Sequence, residues 1–522
     1  MSERSGVGEP SKKVIYGFVA MLAAYALARS LVAAMGKLLW YDELLTLTIS
    51  GLGNWKAIMG ALRLPLDGQP PLFHLIEHYA SSGGKPEIAL RLPSIVAMPC
   101  TLICVFVYVK RQAGEMVGAL CAVAVLMTQV FQNYAAEARP YCLVVACIAF
   151  ALVCYQRVSS RVWTILLGMS LALAQSLHYM AILAMVPFGL AEAVFFARAK
   201  KFRWAVWAAL LVGAMPLAIF WPLLAVNKTY YGAHFWAHFD FPQIPSTYGE
   251  LFLTNSQYGA AIMGVALCGV LGITVLLRRM GGEKEVASET SEEATLVFAL
   301  AALPFIGYII VVAVEHSALT SRYVLSTAVG VCVALGYILS RARWGALALV
   351  AVFIFSVVGM HELHFWRFVR SDIKEVHNVG AEAEKFISSA GHRELPVVIP
   401  NARNLAPLVH YGPASLRERL VYLTEIPQSS DSSDKSLKLL QLYMPLHIYR
   451  FADFTAGHKE FLMYVEEKDP GRDPFTPYLF REGWTLETVA LDDWRRVYLV
   501  SRNEHNSSET ASWQKSGSLN GN

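Results

Sequence analysis

Charge is what this 522-residue sequence has least of: Asp, Glu, Lys and Arg make up 16% of it, against 55% hydrophobic residues. Soluble domains carry about a quarter charged residues, so a soluble multidomain enzyme is excluded. A mean hydropathy of +0.42 agrees and indicates a polytopic membrane protein. The charges nearly cancel, 44 Lys and Arg against 40 Asp and Glu, and leave no footprint for nucleic acid. Cysteine is missing from the polar C-terminal third; all eight (Cys100, Cys104, Cys121, Cys142, Cys147, Cys154, Cys268 and Cys332) fall in apolar stretches. Neither disulfides nor cysteine catalysis is expected. No internal repeat marks an inverted-repeat transporter.

What the sequence has is long apolar runs. The first, residues 14 to 39, follows Lys12 and Lys13 and is long enough to cross about 30 Å of hydrocarbon. Ala26-Leu27-Ala28 resembles a signal-peptidase site, but the apolar run continues past it to Trp40, so an uncleaved span is expected. Further runs near 92–109, 115–131, 141–156, 162–178, 180–197, 204–225, 259–277, 295–314, 323–340 and 344–360 bring the total to about eleven spans. The basic pairs and clusters at Lys110/Arg111, Arg157/Arg161, Arg198 to Arg203, Arg278/Arg279 and Arg341/Arg343 share a side with Lys12 and Lys13. That side is read as cytoplasmic. The opposite side then collects the loop at about 40–91, the turns at 133–141 and 178–179, the 226–258 loop, the 315–323 turn and everything after about 361.

Three domains are expected: a transmembrane unit over 1–360, an extracytoplasmic α/β domain over 361–502, and a disordered Ser-, Asn- and Gly-rich tail over 503–522. In the α/β domain a polar helix (373–389) precedes strand-like runs at 397–399, 420–423, 461–465 and 497–500. The Glu- and Ser-rich stretch 281–293 reads as a solvated linker.

Candidate chemistry clusters on the outward side. Asp42 and Glu43 follow the first span; adjacent residues do not share a helix face, so only one of them addresses a given pocket. Asp67-Gly68-Gln69-Pro70-Pro71 places two prolines before an amphipathic stretch, as expected of an interfacial helix with Asp67 and Gln69 at its entrance. Glu137-Ala138-Arg139-Pro140-Tyr141 and Ser321-Arg322-Tyr323 each place an arginine at the membrane mouth, where it can meet a phosphate at headgroup depth; pairing of Glu137 with Arg139 is the structural alternative. His74-Leu75-Ile76-Glu77-His78 matches the H-x-x-E-H pattern of some metalloproteases, but the pattern is short and a satisfied interfacial histidine pair is the favoured reading. His234, His238 and Asp240 have spacing that suits a metal, in a loop whose aromatics equally suit an interfacial belt or sugar stacking.

Taken in order, Asp42-Glu43, Asp67-Gly68-Gln69-Pro70-Pro71-Leu72, Arg91-Leu92-Pro93, Glu137-Ala138-Arg139-Pro140-Tyr141, His178-Tyr179 and Ser321-Arg322-Tyr323 resemble the GT-C membrane glycosyltransferases. Within them the chain is similar to the branch of dolichyl-phosphate-mannose-protein mannosyltransferases and lipid A aminoarabinose or galacturonate transferases. The resemblance runs over about residues 14 to 340. It implies a polyprenyl-phosphate sugar donor, a multi-pass location in a bacterial inner membrane, and Asp42 as catalytic base with Glu43 beside it. It also implies Asp67, Gln69, Glu137, Arg139, Tyr141, His178, Tyr179, Arg322 and Tyr323 as substrate-binding residues. Some relatives use a divalent metal and others none, so no cofactor is certain. The aminoarabinose branch has lysine before Pro-Pro-Leu where this chain has Gln69, which leaves Arg139 and Arg322 as the phosphate partners. A transporter or lipid flippase is the rival class. It predicts polar residues distributed near the bilayer midplane, whereas the charges here gather at one face. A membrane metalloprotease using residues 74–78 is the third.

Overall fold

The computed structural model describes residues 11–231, 241, 243–252, 291–313, 319–340, 344–371, 379–426, 432–466 and 475–502. The expected span at 259–277, the group His234, His238 and Asp240, and the tail 503–522 lie outside the described residues. The apolar runs are helical because hydrocarbon offers no partner for backbone N–H and C=O groups, which must bond within the segment. α1 (Lys12–Met35) leads into a loop that is itself helical: α2 (Tyr41–Ser50), α3 (Trp55–Arg63), α4 (Pro71–Ser81) and α5 (Pro86–Ala89). Then come α6 (Leu92–Ala113), α7 (Glu115–Val125), α8 (Gln129–Ala135), α9 (Tyr141–Tyr155), α10 (Arg161–Leu177) and α11 (Ala181–Ala199). They are followed by α12 (Trp204–Ile219), α13 (Trp221–Tyr231), α14 (Gln243–Phe252), α15 (Ser291–Ala301), α16 (Leu303–Ala313), α17 (Thr327–Leu339) and α18 (Trp344–Ser371).

Among the described residues four helices are long and apolar enough to cross a membrane, or seven when each bent pair counts as one span; α9, α10 and α17 are shorter apolar helices. The bends have local causes. α12 and α13 meet at 52° where Pro216 and Pro222 interrupt the hydrogen-bond ladder, and α15 and α16 meet at 71° beside Pro304. Two expectations change. The last helix runs on to Ser371 rather than ending at 360, because Glu362 on it bonds Arg29 and Tyr25 of α1. Residues 291–293 of the expected linker already belong to α15, where Glu292 is buried and Glu293 accepts from Gln112.

The C-terminal part is a mixed six-stranded sheet in the order β3-β2-β1-β4-β6-β5. β1 (Val397–Val398), β2 (Leu420–Thr424) and β3 (His447–Arg450) run parallel to β4 (Glu460–Glu466), while β6 (Arg495–Arg502) pairs antiparallel with both β4 and β5 (Trp484–Leu491). The four strands read from sequence are β1, β2, β4 and β6; the two missed, β3 and β5, are the edges. Edge strands keep a wet side, and the largely exposed His447-Ile448-Tyr449-Arg450 lacks the apolar run that marks an interior strand. Helices α19 (Val379–Ser389), α20 (Ala402–Tyr411), α21 (Ala414–Arg417), α22 (Ser432–Leu440), α23 (Phe451–Gly457) and α24 (Phe475–Arg481) complete this part.

The expected boundary at 361 does not separate two cores. Leu39, Leu44, Ile49, Ile58 and Leu66 of the first loop share one buried cluster with Leu405, Leu408, Leu437 and Leu440. Leu39 N–H also donates to Tyr411 Oη at 2.9 Å.

Candidate active site

The site is built by turns at one end of the helix bundle. Asp42 and Glu43 occupy the first turn of α2, where carboxylates favour the positive end of the helix dipole. They point to different neighbours, as expected of adjacent helical positions. Glu43 is fully buried: Oε1 accepts from Arg91 Nε (2.8 Å) and Ala138 N–H (2.7 Å), and Oε2 from Arg91 Nη2 (2.6 Å) and Trp40 N–H (3.3 Å). Arg91 in turn donates to the carbonyls of Ala34, Lys37 and Leu38. The pair therefore closes the end of α1 onto the start of α2 and fixes where Asp42 stands. Arg91, read from the sequence as the start of the second span and one motif of the resemblance but given no site role, is the residue that braces Glu43. Its one outward signal was a charge opening an apolar run.

Asp42 keeps a side chain 23% exposed, with Oδ2 3.6 Å from Arg322 Nη1 and 4.0 Å from Arg139 Nη2. Arg139 is buried and engaged, donating to Asp67 through Nη1 (2.9 Å) and Nη2 (3.4 Å), and to Thr46 Oγ1 and the Asp42 carbonyl. Burial would raise the Asp67 carboxyl, but Arg139 and His74 more than offset it and hold it below the ordinary carboxylate range. Arg322 sits in the 3-10 turn Ser321–Val324, its guanidinium 5.8 Å and 5.7 Å from the ring centroids of Tyr141 and Tyr323.

Behind the arginines His178 lies between Tyr141 and Tyr323, ring centroids 5.3 and 5.1 Å away. Its Nδ1 accepts Met180 N–H at 3.0 Å, and burial, aided by both arginines, pushes its pKa down to about 3. A neutral ring with Nδ1 occupied carries its proton on Nε2, a donor that does not switch near neutral pH. Tyr179 presents a buried hydroxyl with no hydrogen-bond partner among the described residues. Glu137 is not paired with Arg139. It stands 4.0 Å from Lys37, and burial pushes it up to about 7 with Lys37 pulling the other way.

Pro70 caps α4 and Pro71 opens it, as the pair of prolines predicted. The H-x-x-E-H residues do not converge. His74 Nε2 lies 3.5 Å from Asp67, His78 Nδ1 bonds the Ser50 carbonyl at 2.7 Å, and Glu77 is buried with neither carboxylate oxygen hydrogen-bonded among the described residues. Burial, reinforced by Glu43, raises Glu77 well above the ordinary range and favours its neutral form. No three His, Cys, Asp or Glu side chains among the described residues are arranged to hold a metal. Asp42 and Asp67 both face guanidinium groups, an arrangement that suits an anion rather than a cation.

The chain shares its fold with the crystal structure of ArnT from Cupriavidus metallidurans bound to undecaprenyl phosphate: TM-score 0.52 at 15% identity, over 92% of this chain and 98% of that one. The apo state of the same protein matches with TM-score 0.51 at 15% identity, over 93% and 98%. A partial match to the S. cerevisiae protein O-mannosyltransferase Pmt1-Pmt2 complex bound to the sugar donor has TM-score 0.31 at 15% identity, over 49% of this chain and 38% of that one. The fold is thus that of the two ArnT structures. Residues 68–225 match the family model described as dolichyl-phosphate-mannose-protein mannosyltransferase. That match spans less than a third of the chain, and the likeness to ArnT is one of fold. No curated protein sequence matches the chain.

Proposed function

We propose that this enzyme moves a sugar from a polyprenyl-phosphate donor to an acceptor hydroxyl on the extracytoplasmic side, with Asp42 as general base and inversion at the anomeric carbon. The observation that carries the proposal is Asp42 itself, the partly exposed carboxylate within 4.0 Å of two arginines. Asp67 is more deeply buried and held by two nitrogens of Arg139, so Asp42 is the carboxylate an acceptor reaches. In the reaction the acceptor oxygen bonds the anomeric carbon while its proton passes to Asp42. The sugar–phosphate bond breaks, and its electron pair leaves on the phosphate. Phosphate leaves readily without a second acid, so one carboxylate suffices. Arg139 and Arg322 stabilise the charge that develops on it. A phosphate arriving beside them competes for the guanidinium contacts of Asp42 and so readies the base only when donor is bound.

Gln69, Glu137, Tyr141, His178, Tyr179 and Tyr323 line the donor and acceptor space in this reading, and Glu43 positions Asp42. Undecaprenyl phosphate bound to the ArnT structure of the same fold supports a polyprenyl-phosphate donor. Eleven spans, a cytoplasmic N-terminus, an outward C-terminal domain and a bacterial inner membrane belong to the same proposal. Basic residues at the end opposite the site support that orientation: Lys12, which pairs with Glu115, and Arg203, which pairs with Glu192. The test is transfer in proteoliposomes from polyprenyl-phosphate sugars. Arg322→Ala and Arg139→Ala each lower turnover by about 10²-fold or more, the scale of losing one preorganised charge partner; activity within a few-fold of wild type in both removes the arginines from the reaction.

A further inference from the structure

The last residues of α13 belong to the 226–258 stretch expected on the outward side, and the bend before this helix lays it over the Asp67–Gln69 loop. Tyr231 Oη donates to the Pro65 carbonyl at 2.7 Å. On the other side Lys435 Nζ donates to the Tyr230 carbonyl at 2.7 Å, and Tyr230 Oη to the Lys435 carbonyl at 3.2 Å. Beside Lys435, Ser436 and Tyr41 share a hydrogen bond of 2.6 Å, so α22 bridges α13 and the residue before Asp42.

Held there, Asn227 is buried at 8% exposure. Its Nδ2 donates to the Leu223 carbonyl at 3.0 Å, which fixes the amide orientation and turns Oδ1 outward. Oδ1 meets no hydrogen-bond partner among the described residues, and neither does the buried Oε1 of Gln69. Gly68 separates them; a Cβ placed on it would stand 3.9 Å from Asn227 Oδ1 and nothing else would crowd it. Two desolvated amide oxygens, one 3.9 Å from a Cβ placed on Gly68 and one on the residue that follows it in the chain, demand hydrogen-bond donors, since a buried acceptor left unmade costs more than a hydrogen bond gains. Both are neutral acceptors, Gln69 two residues after Asp67 and Asn227 on a neighbouring helix, so they suit hydroxyl or amino groups and not the phosphate that Arg139 and Arg322 address in the proposed reaction. Asn227 also begins a formal Asn-Lys-Thr sequon, but an amide buried and bonded in this way is not available for glycan attachment.

We infer that Asn227 and Gln69 read the hydroxyls of the transferred sugar across Gly68, making them specificity-determining residues. This rests on the proposed donor class. Sites that hydrogen-bond a substrate hydroxyl discriminate strongly against analogues without it, because the protein groups are then stranded.

The experiment compares thermal shifts of the full-length protein with polyprenyl phosphate alone and with mannosyl, galacturonosyl and aminoarabinosyl polyprenyl phosphates. In wild type at least one sugar-bearing donor shifts the melting midpoint beyond the sugar-free lipid. Asn227→Leu keeps the polyprenyl-phosphate shift, which shows that it is folded, and loses the extra shift, with kcat/KM for that donor down about tenfold or more. Gly68→Ala, whose Cβ is sterically allowed, lowers the sugar-dependent shift without lowering the lipid-dependent one and stands in if Asn227→Leu does not fold. An unchanged sugar-dependent shift in Asn227→Leu, or in Gly68→Ala where the former does not fold, overturns the inference. Absence of any sugar-dependent shift in wild type instead overturns the donor reading beneath it.

Discussion

Two neighbouring carboxylates divide the labour of the site. Asp42 and Glu43 share a turn, but Glu43 is the hub of a buried clasp, whereas Asp42 stands partly in solvent against Arg139 and Arg322. Removing one partner from a buried ion pair typically costs about 3–5 kcal/mol because the other charge is left uncompensated. Glu43→Ala is therefore expected to lower the stability of the folded protein by that order, read by chemical or thermal denaturation, while Asp42→Asn leaves it nearly unchanged. Glu137 supplies a pH signature. Its folded pKa, raised by burial to about 7, lies above that of the unfolded chain, so the folded state binds the extra proton and stability falls as pH rises from about 4.5 to about 7. His74, lowered to about 4, contributes in the opposite sense across part of that window, so the comparison must be made by difference. The melting temperature of wild type minus that of Glu137→Gln should decline across this range; a flat difference contradicts the burial of Glu137. Asp42, Arg139 and Arg322 were legible in the sequence because a charge beside an apolar run is conspicuous. The residues of the Glu43–Arg91 pair were each visible, but not their pairing across 48 positions, and Asn227 was legible only as part of the outward 226–258 loop.

Among the elements, the bends matter more for the site than the lengths of the spans. α13 reaches the Asp67–Gln69 loop because the chain turns by 52° after α12. Arg322 is presented by a short 3-10 turn leading into α17. α17 is seated by close packing, since a Cβ on Gly330 would collide with the backbone of Leu300 and Ala301 in α15. Contacts between small residues are how helices associate where lipid is as apolar as their side chains. Gly330→Ala is expected to destabilise the protein by about 1–3 kcal/mol or more and to lower activity with it by displacing the Arg322 turn. Gly17→Ala, where nothing lies within 4 Å, is the neutral control in the same melting experiment. Helix existence and the interior strands were readable from apolar runs. The edge strands β3 and β5, the helices α2 and α3 and the bends were not, because each depends on which side of the element ends up covered.

At the scale of the whole molecule, the C-terminal sheet domain packs against the elements that carry the candidate site rather than standing apart from them. It shares a core with the first loop, donates Lys435 to α13 and bonds Tyr41 one residue before Asp42, the proposed base. That long-range assembly was invisible in the sequence, where a change of composition near 361 reads as a domain boundary. Its consequence is that the candidate site is assembled from the beginning and middle of the chain, braced by its end, around one partly exposed carboxylate. The measurement that tests this most directly is release of polyprenyl phosphate and glycosylated acceptor from a polyprenyl-phosphate sugar by purified Asp42→Asn. Both products should fall together by about 10²-fold or more with the protein still folded and still binding polyprenyl phosphate. Near-normal product formation by that variant would contradict the account.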